Sequence, residues 1–189
     1  MSQQYKVAVV VGSLRKESVS RKAALALAKL APGNLDLQIV EIGDLALYDE
    51  DVEASGAPES WSRFREQLLA SDAVLFVTPE YNRSVPGALK NAIDVGSRPY
   101  GRSAWAGKPA AVMSLSPGAI GGFGANHHLR QSLVFLDMPV LQQPEAYVGD
   151  AFSLFDDAGV LASEGTSDFF TGFITAFADW IERTARPQA

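Results

Sequence analysis

Residues 6–11 (KVAVVV) form a short, β-branched and almost continuously apolar run. This run constrains the fold more than any other stretch of the chain. A strand that is apolar at successive positions must be covered on both faces, and a parallel sheet between two helical layers does that. Further candidate strands lie at 35–42, which alternates at first, at 73–77 (AVLFV), at 109–115 and at 139–148. Pro144 inside the last of these points to an edge position, because proline cannot donate to the ladder. Helical patterns separate the strands. Residues 20–30 are rich in Ala and Leu and stop at Pro32-Gly33-Asn34. Pro58 opens a segment with Trp61, Phe64, Leu68 and Leu69 at helical spacing. Residues 86–95 place Leu89, Ile93 and Ala92 inward, a glycine-rich turn at 117–124 opens a helix through Leu136, and a broad aromatic stripe marks 168–183.

Five strands alternating with five helices predict an open, doubly wound α/β domain. The count of five favours a flavodoxin-like three-layer sandwich, a five-stranded parallel sheet of order 2-1-3-4-5 with helices on both faces. At 189 residues the chain is read as one domain, 1–189. Such sheets bind ligands beyond the carboxyl ends of their strands, so the loops after strands one, three and four are the ones to inspect.

Composition removes several classes of function. Acidic residues outnumber basic ones, 22 to 16. No stretch gathers Lys and Arg into the basic footprint that nucleic acid requires. Cysteine is absent, which removes disulfides, thiolate metal sites, cysteine nucleophiles and redox dithiols. The start MSQQYKV lacks a signal-peptide pattern, and no apolar run reaches the roughly 20 residues that span a bilayer. A cytoplasmic location without membrane attachment is expected. Any redox chemistry must then be carried by a bound cofactor.

The first loop, 12–20 (GSLRKESVS), sets the hydroxyls of Ser13, Ser18 and Ser20 among free N–H groups at a helix N-terminus, a suitable socket for phosphate. Arg15 can add a charge-assisted contact. Neither G-x-G-x-x-G nor G-x-x-x-x-G-K-[ST] occurs here, which disfavours a Rossmann dinucleotide and a P-loop. The simpler alternative is a serine-rich turn in which Ser20 only caps the helix. The loop after strand three, Thr78-Pro79-Glu80-Tyr81-Asn82-Arg83-Ser84-Val85-Pro86-Gly87, is rigid enough to meet the edge of a flat heterocycle, with Tyr81 offering stacking area.

Taken together, Gly12-Ser13-Leu14-Arg15 with Ser18, Thr78-Pro79-Glu80-Tyr81-Asn82, Pro86-Gly87-x-Leu89-Lys90-Asn91-Ala92-Ile93-Asp94 and Ser97-Arg98 resemble the NADPH-dependent FMN reductase family. Ser116-x-Gly118-x-Ile120-Gly121-Gly122 and His128-Leu129-Arg130-Gln131 sharpen the resemblance toward its bacterial quinone and chromate reductase branch. The match runs roughly from Val7 to Val148. It implies a homodimer or homotetramer that binds FMN, with NAD(P)H as co-substrate and a small-molecule oxidant as acceptor. The FMN phosphate would meet Ser13, Leu14, Arg15, Ser18, Val19 and Ser20. The isoalloxazine would meet Pro79, Glu80, Tyr81 and Asn82, with Leu115, Ser116 and Gly118 behind. Position 20 departs a little, since asparagine is frequent there in related sequences.

Hydride transfer on a flavin is the cofactor's chemistry, so no catalytic acid, base or nucleophile is expected from the chain. Ping-pong turnover with quinones, and with chromate, azo compounds, ferric chelates or free flavin, is the predicted activity. Arg83, Arg98 and Arg102 are candidate cations for the anionic nicotinamide nucleotide, each with a solvated surface arginine as its alternative. Asp94 is expected to cap or pair. His127 and His128 lie about 100° apart on a helix and make a poor metal pair; one is expected to pack or pair, with Glu145 of a second subunit as one partner. A flavodoxin-type electron carrier without nucleotide turnover is the main alternative, and a redox-responsive interaction protein is a second.

Overall fold

The computed structural model describes residues 3–185; Met1, Ser2 and 186–189 of the expected domain lie outside the described residues. In chain order the elements are β1 (Tyr5–Val11), α1 (Val19–Leu30), β2 (Leu35–Val40), α2 (Glu50–Ser55), α3 (Glu59–Leu69), β3 (Ala73–Pro79), α4 (Gly87–Gly96), β4 (Ala110–Leu115), α5 (Phe123–Phe135), β5 (Ala146–Val148) and α6 (Glu164–Thr184). The strands form one parallel sheet of order β2-β1-β3-β4-β5, the flavodoxin-like arrangement expected from the strand count.

The apolar strands divide their residues between two cores because successive side chains leave opposite faces of a strand. Val7, Val9 and Val11 of β1 join Leu75, Val77, Met113 and Leu115 beneath α1 and α6, where Phe170, Phe173 and Phe177 fill the layer. Ala8 and Val10 join Val74, Phe76 and Val112 on the other face, beneath Trp61, Phe64 and Leu68 of α3, Leu89 of α4 and Leu129 of α5. Trp105 lies fully buried in that second core, and its indole N–H donates to Ile93 O at 3.0 Å.

Several expected boundaries shift, each for a local reason. Helix α1 begins at Val19, with Ser18 as its cap: the Ser18 hydroxyl accepts from Arg21 N–H at 3.2 Å. Ser20 is therefore a buried residue of the first turn and not the cap. The fifth strand, expected over 139–148, keeps only Ala146–Val148. Val140 makes one isolated bridge to Ala110, and the chain then bends through Gln143-Pro144, where a proline has no N–H to give. Its edge position is as expected. The second strand stops at Val40 rather than 42. The short α2 was not anticipated; its six residues carry no buried side chain and so no apolar period. Helix α6 starts earlier than 168, capped by Ser163, which accepts from Thr166 N–H at 3.2 Å.

Candidate functional site

The sheet order reverses at β1. The connection through α1 leads to β2 on one side, and β3 lies on the other. This is the switch point, where the loops leaving β1 and β3 diverge and open a crevice. A cleft of about 310 Å³ lies there, lined by Gly12, Leu14, Arg15, Tyr81, Pro86, Gly87 and Ala88. Gly12 lets the two loops approach: its N–H donates to Val77 O at 2.9 Å, and a Cβ would stand 2.5 Å from Thr78 Oγ1. Thr78 Oγ1 in turn donates to Pro79 O at 2.8 Å.

In the first loop Ser13, Ser18 and Ser20 are all nearly buried, Val19 is half-buried, and Leu14 and Arg15 are exposed. Ser18 uses one acceptor position for the cap and keeps its own proton free to donate. The α1 N-terminus and these hydroxyls therefore form a donor-rich floor beside the exposed Arg15 side chain, which has no ion pair among the described residues.

The loop after β3 is a tight hairpin. Tyr81 N–H donates to Ser84 O and Ser84 N–H to Tyr81 O, both at 2.9 Å, with Asn82 (φ 50°) and Arg83 (φ 63°) left-handed at the two central positions. That is the primed turn normally built from Asn-Gly. It turns the half-exposed Tyr81 ring into the cleft lining and leaves the Arg83 side chain 76% exposed. Glu80 is aimed away from the cleft. Its Oε2 accepts from Ala125 N–H at 3.0 Å and caps α5, whose own cap, Gly122, supplies no side chain. Gly124 permits this docking, since a Cβ there would meet Arg83 O at 2.6 Å. His128 Nδ1 joins Ser84 Oγ at 2.9 Å as a third tie between this hairpin and α5.

Beyond β4, Leu115 has its side chain in the core, so only its backbone faces the edge. Ser116 N–H donates to Val148 O at 3.0 Å, Ser116 O accepts from Ala151 N–H at 3.1 Å, and Ser116 Oγ accepts from Gly118 N–H at 3.2 Å. Gly118 is exposed. His127 Nε2 meets Tyr147 OH, on β5, at 3.0 Å. Burial, with the Glu145 carboxylate beside it, pushes the Tyr147 phenol up to about 12, so it stays a neutral hydroxyl at working pH.

Two of the three candidate cations lie elsewhere. Helix α4 runs from Gly87, in the cleft lining, to Gly96, and Arg98 and Arg102 follow its far end. The same segment is tied there by Ala104 N–H to Gly96 O and by Lys108 Nζ to Ser71 O, just ahead of β3. Arg98 is also committed, with Nη1 on Ser97 Oγ at 3.0 Å and its guanidinium 5.7 Å over the Tyr48 ring. None of the three is among the residues that line the cleft; Arg83 lies on the hairpin that carries Tyr81 into it, and Arg98 and Arg102 lie beyond α4. Asp94 pairs with Lys90 at 2.8 Å. Sequence reading missed Pro86, Gly87 and Ala88 as cleft lining, although a proline and glycine opening a helix beside a ligand loop were a legible signal. It also missed Asn91, buried and holding the β2 loop by accepting from Tyr48 N–H and donating to Leu45 O and Ala46 O.

Among the described residues no helix is long and apolar enough to cross a membrane, and no group of three or more His, Asp or Glu side chains could hold a metal.

Known proteins carry the same pattern. A "quinone reductase" of Pseudomonas putida is 70% identical over 182 residues, covering 96% of this chain and 97% of that protein. A "2-hydroxy-1,4-benzoquinone reductase" of Burkholderia sp is 46% identical, covering 93% and 96%. The solved structure of FerB, a flavoenzyme NAD(P)H:(acceptor) oxidoreductase from Paracoccus denitrificans, superimposes with a TM-score of 0.90 at 46% identity, covering 96% of this chain and 100% of that one. The profile described as NADPH-dependent FMN reductase matches residues 5–153, and the chain belongs to that family.

Proposed function

We propose that this protein is an FMN-dependent NAD(P)H:quinone oxidoreductase with ping-pong turnover. Membership of the family makes it an NAD(P)H-dependent enzyme of the FMN type. The observation that carries the reading is the cleft at the switch point, walled by the β1 loop on one side and the Tyr81 hairpin on the other.

The residues present fit FMN. Ser13, Ser18 and Ser20, the free N–H groups opening α1 and the Arg15 guanidinium make the donor set a phosphate dianion needs. Leu14 and Val19 give that loop its apolar contacts. The backbone of Pro79, Glu80, Tyr81 and Asn82 would face the ring edge, with the Leu115, Ser116 and Gly118 segment behind it. FMN, when bound, supplies hydride chemistry between NAD(P)H and an acceptor. The chain's part is to orient, to shape one open face and to attract anions. Glu80 and Ser84 hold the hairpin to α5, so Tyr81 stands on a fixed support. Arg83 projects from that hairpin toward an anionic nucleotide. Coenzyme and quinone would both have to approach the one open flavin face beside Tyr81, which supports alternate occupancy. An open cleft of this kind also suits chromate, azo compounds and free flavin as oxidants.

We further infer a homodimer or homotetramer. The outer face of α5 presents Phe123, Val134 and Phe135, the last two 75% and 82% exposed, with no Asp, Glu or Lys in the helix. Neither nucleic acid nor membrane is a partner in this reading, and the cytoplasm is its compartment. Steady-state oxidation of NAD(P)H by a quinone tests the function. Turnover is expected; bound FMN without turnover would leave only an electron carrier.

A further inference from the structure

The ridge made by Leu14 and Arg15 has a second side. Both residues line the cleft beside Tyr81, and both also line a separate cleft of about 490 Å³ between the β1 loop and the carboxyl end of β2. Its other walls are Val11, Ser13, Lys16, Arg21, the end of β2 through Glu41 and Ile42, and Gly43. The volume is in the range of small-ligand sites.

The charge of this second cleft runs against that of the protein. The chain carries a formal net charge of −6, yet Arg15, Lys16 and Arg21 face a single carboxylate, Glu41. Arg21 and Glu41 satisfy each other in a two-point pair. The surrounding carboxylates are also engaged: Glu17 with Lys22 at 3.3 Å and Asp44 with Arg63 at 2.9 Å. Arg15 is already assigned to the FMN phosphate, so Lys16 remains, exposed and without an acidic partner among the described residues. The apolar side chains of Val11, Leu14 and Ile42 give the cleft a wall against which a heterocycle can pack.

We propose that this second cleft binds the adenosine end of the coenzyme, with Lys16 meeting the 2′-phosphate that distinguishes NADPH from NADH. The proposal rests on the NAD(P)H:quinone oxidoreductase reading and adds to it a subsite and a preference. A nicotinamide placed in the Tyr81 cleft would send its adenosine over the Leu14–Arg15 ridge, and among the described residues Lys16 is the unpaired cation lining the cleft beyond it. NADH lacks the dianion that this cation would attract, so it gains nothing from it.

The direct probe is adenosine 2′,5′-bisphosphate, titrated against the FMN-loaded protein by calorimetry with adenosine 5′-monophosphate as control. The bisphosphate should bind more tightly, and the difference should shrink as salt rises, since exposed charges are screened. Lys16→Glu should abolish most of that difference. It should lower kcat/KM for NADPH on the order of tenfold while changing NADH and the quinone KM by less than about twofold. Flavin content, read by absorbance, should stay as in the unsubstituted protein. Equal losses for both coenzymes, no loss for either, or loss of FMN from the variant would each overturn the subsite. Should the unsubstituted protein hold FMN and bind the bisphosphate yet never oxidise NADPH, the enzyme reading would fail while the binding site stood.

Discussion

Glu80 ties the proposed flavin loop to helix α5, and replacing it gives the sharpest mechanical test of the site. Its carboxylate accepts from Ala125 N–H at 3.0 Å at a helix start that has no side-chain cap of its own. Glu80→Ala removes that acceptor, a loss of about 1 kcal/mol. It also removes a negative charge from the positive end of the helix dipole, about 1 kcal/mol more for a site this sheltered. The Arg83 pair adds little, because at 3.9 Å and 76% exposure it is screened. The sum, about 2 kcal/mol, corresponds to a fall in Tm of about 4–8 °C for a chain of this size. Glu80→Gln keeps an acceptor and loses only the charge, so it should show about half the fall. Thermal unfolding followed by circular dichroism measures both, and FMN titration should show weaker binding in Glu80→Ala as the hairpin loosens. A Glu80→Ala protein within about 1 °C of the unsubstituted one, or a Glu80→Gln variant equally damaged, would refute the capping argument.

Other perturbations separate the parts of the account. Gly12→Ala would press a methyl to 2.5 Å from Thr78 Oγ1, so it should cost about 1–3 kcal/mol and weaken FMN binding together, as denaturant melts and flavin titration would show. Arg83→Gly should raise stability by up to about 1 kcal/mol, because it relieves a left-handed arginine at φ 63°; yet it should raise KM for NAD(P)H, and a variant less stable than its parent would contradict the turn assignment. Arg21 and Arg63 hold the carboxyls of Glu41 and Asp44 below their ordinary values, chiefly by hydrogen bonding. Their folded-state pKa values are depressed, so this stabilisation is present above the ordinary carboxylate pKa and disappears as pH falls through the lower folded value. The double variant Glu41→Gln/Asp44→Asn should therefore show a flatter loss of stability below about pH 4, checked by denaturant midpoints across the acid range.

The fold was legible because the strands are buried on both faces: KVAVVV and AVLFV leave little freedom in class or layer. The switch point follows from strand order, so the β1 and β3 loops could be named in advance. Side-chain directions within those loops could not. Glu80 and Tyr81 are sequence neighbours, yet a primed turn sends one toward α5 and the other to the cleft. The turn itself was hidden because its second central residue is Arg83 and not glycine. Arg98 and Arg102 follow a conspicuous motif in sequence, yet α4 stands between them and the residues that line the cleft. The second cleft left no motif at all. It arises where Lys16 and the end of β2 meet across the β1–β2 register, a relation no short pattern encodes.

The most direct test of the central claim is the absorbance of the purified, desalted protein before and after NADPH under anaerobic conditions, followed by a quinone. The account predicts a yellow flavin band at about one FMN per chain, bleached by NADPH and restored by the quinone. A protein that neither holds nor takes up FMN, or a flavin band that NADPH and NADH both leave unbleached, would contradict it.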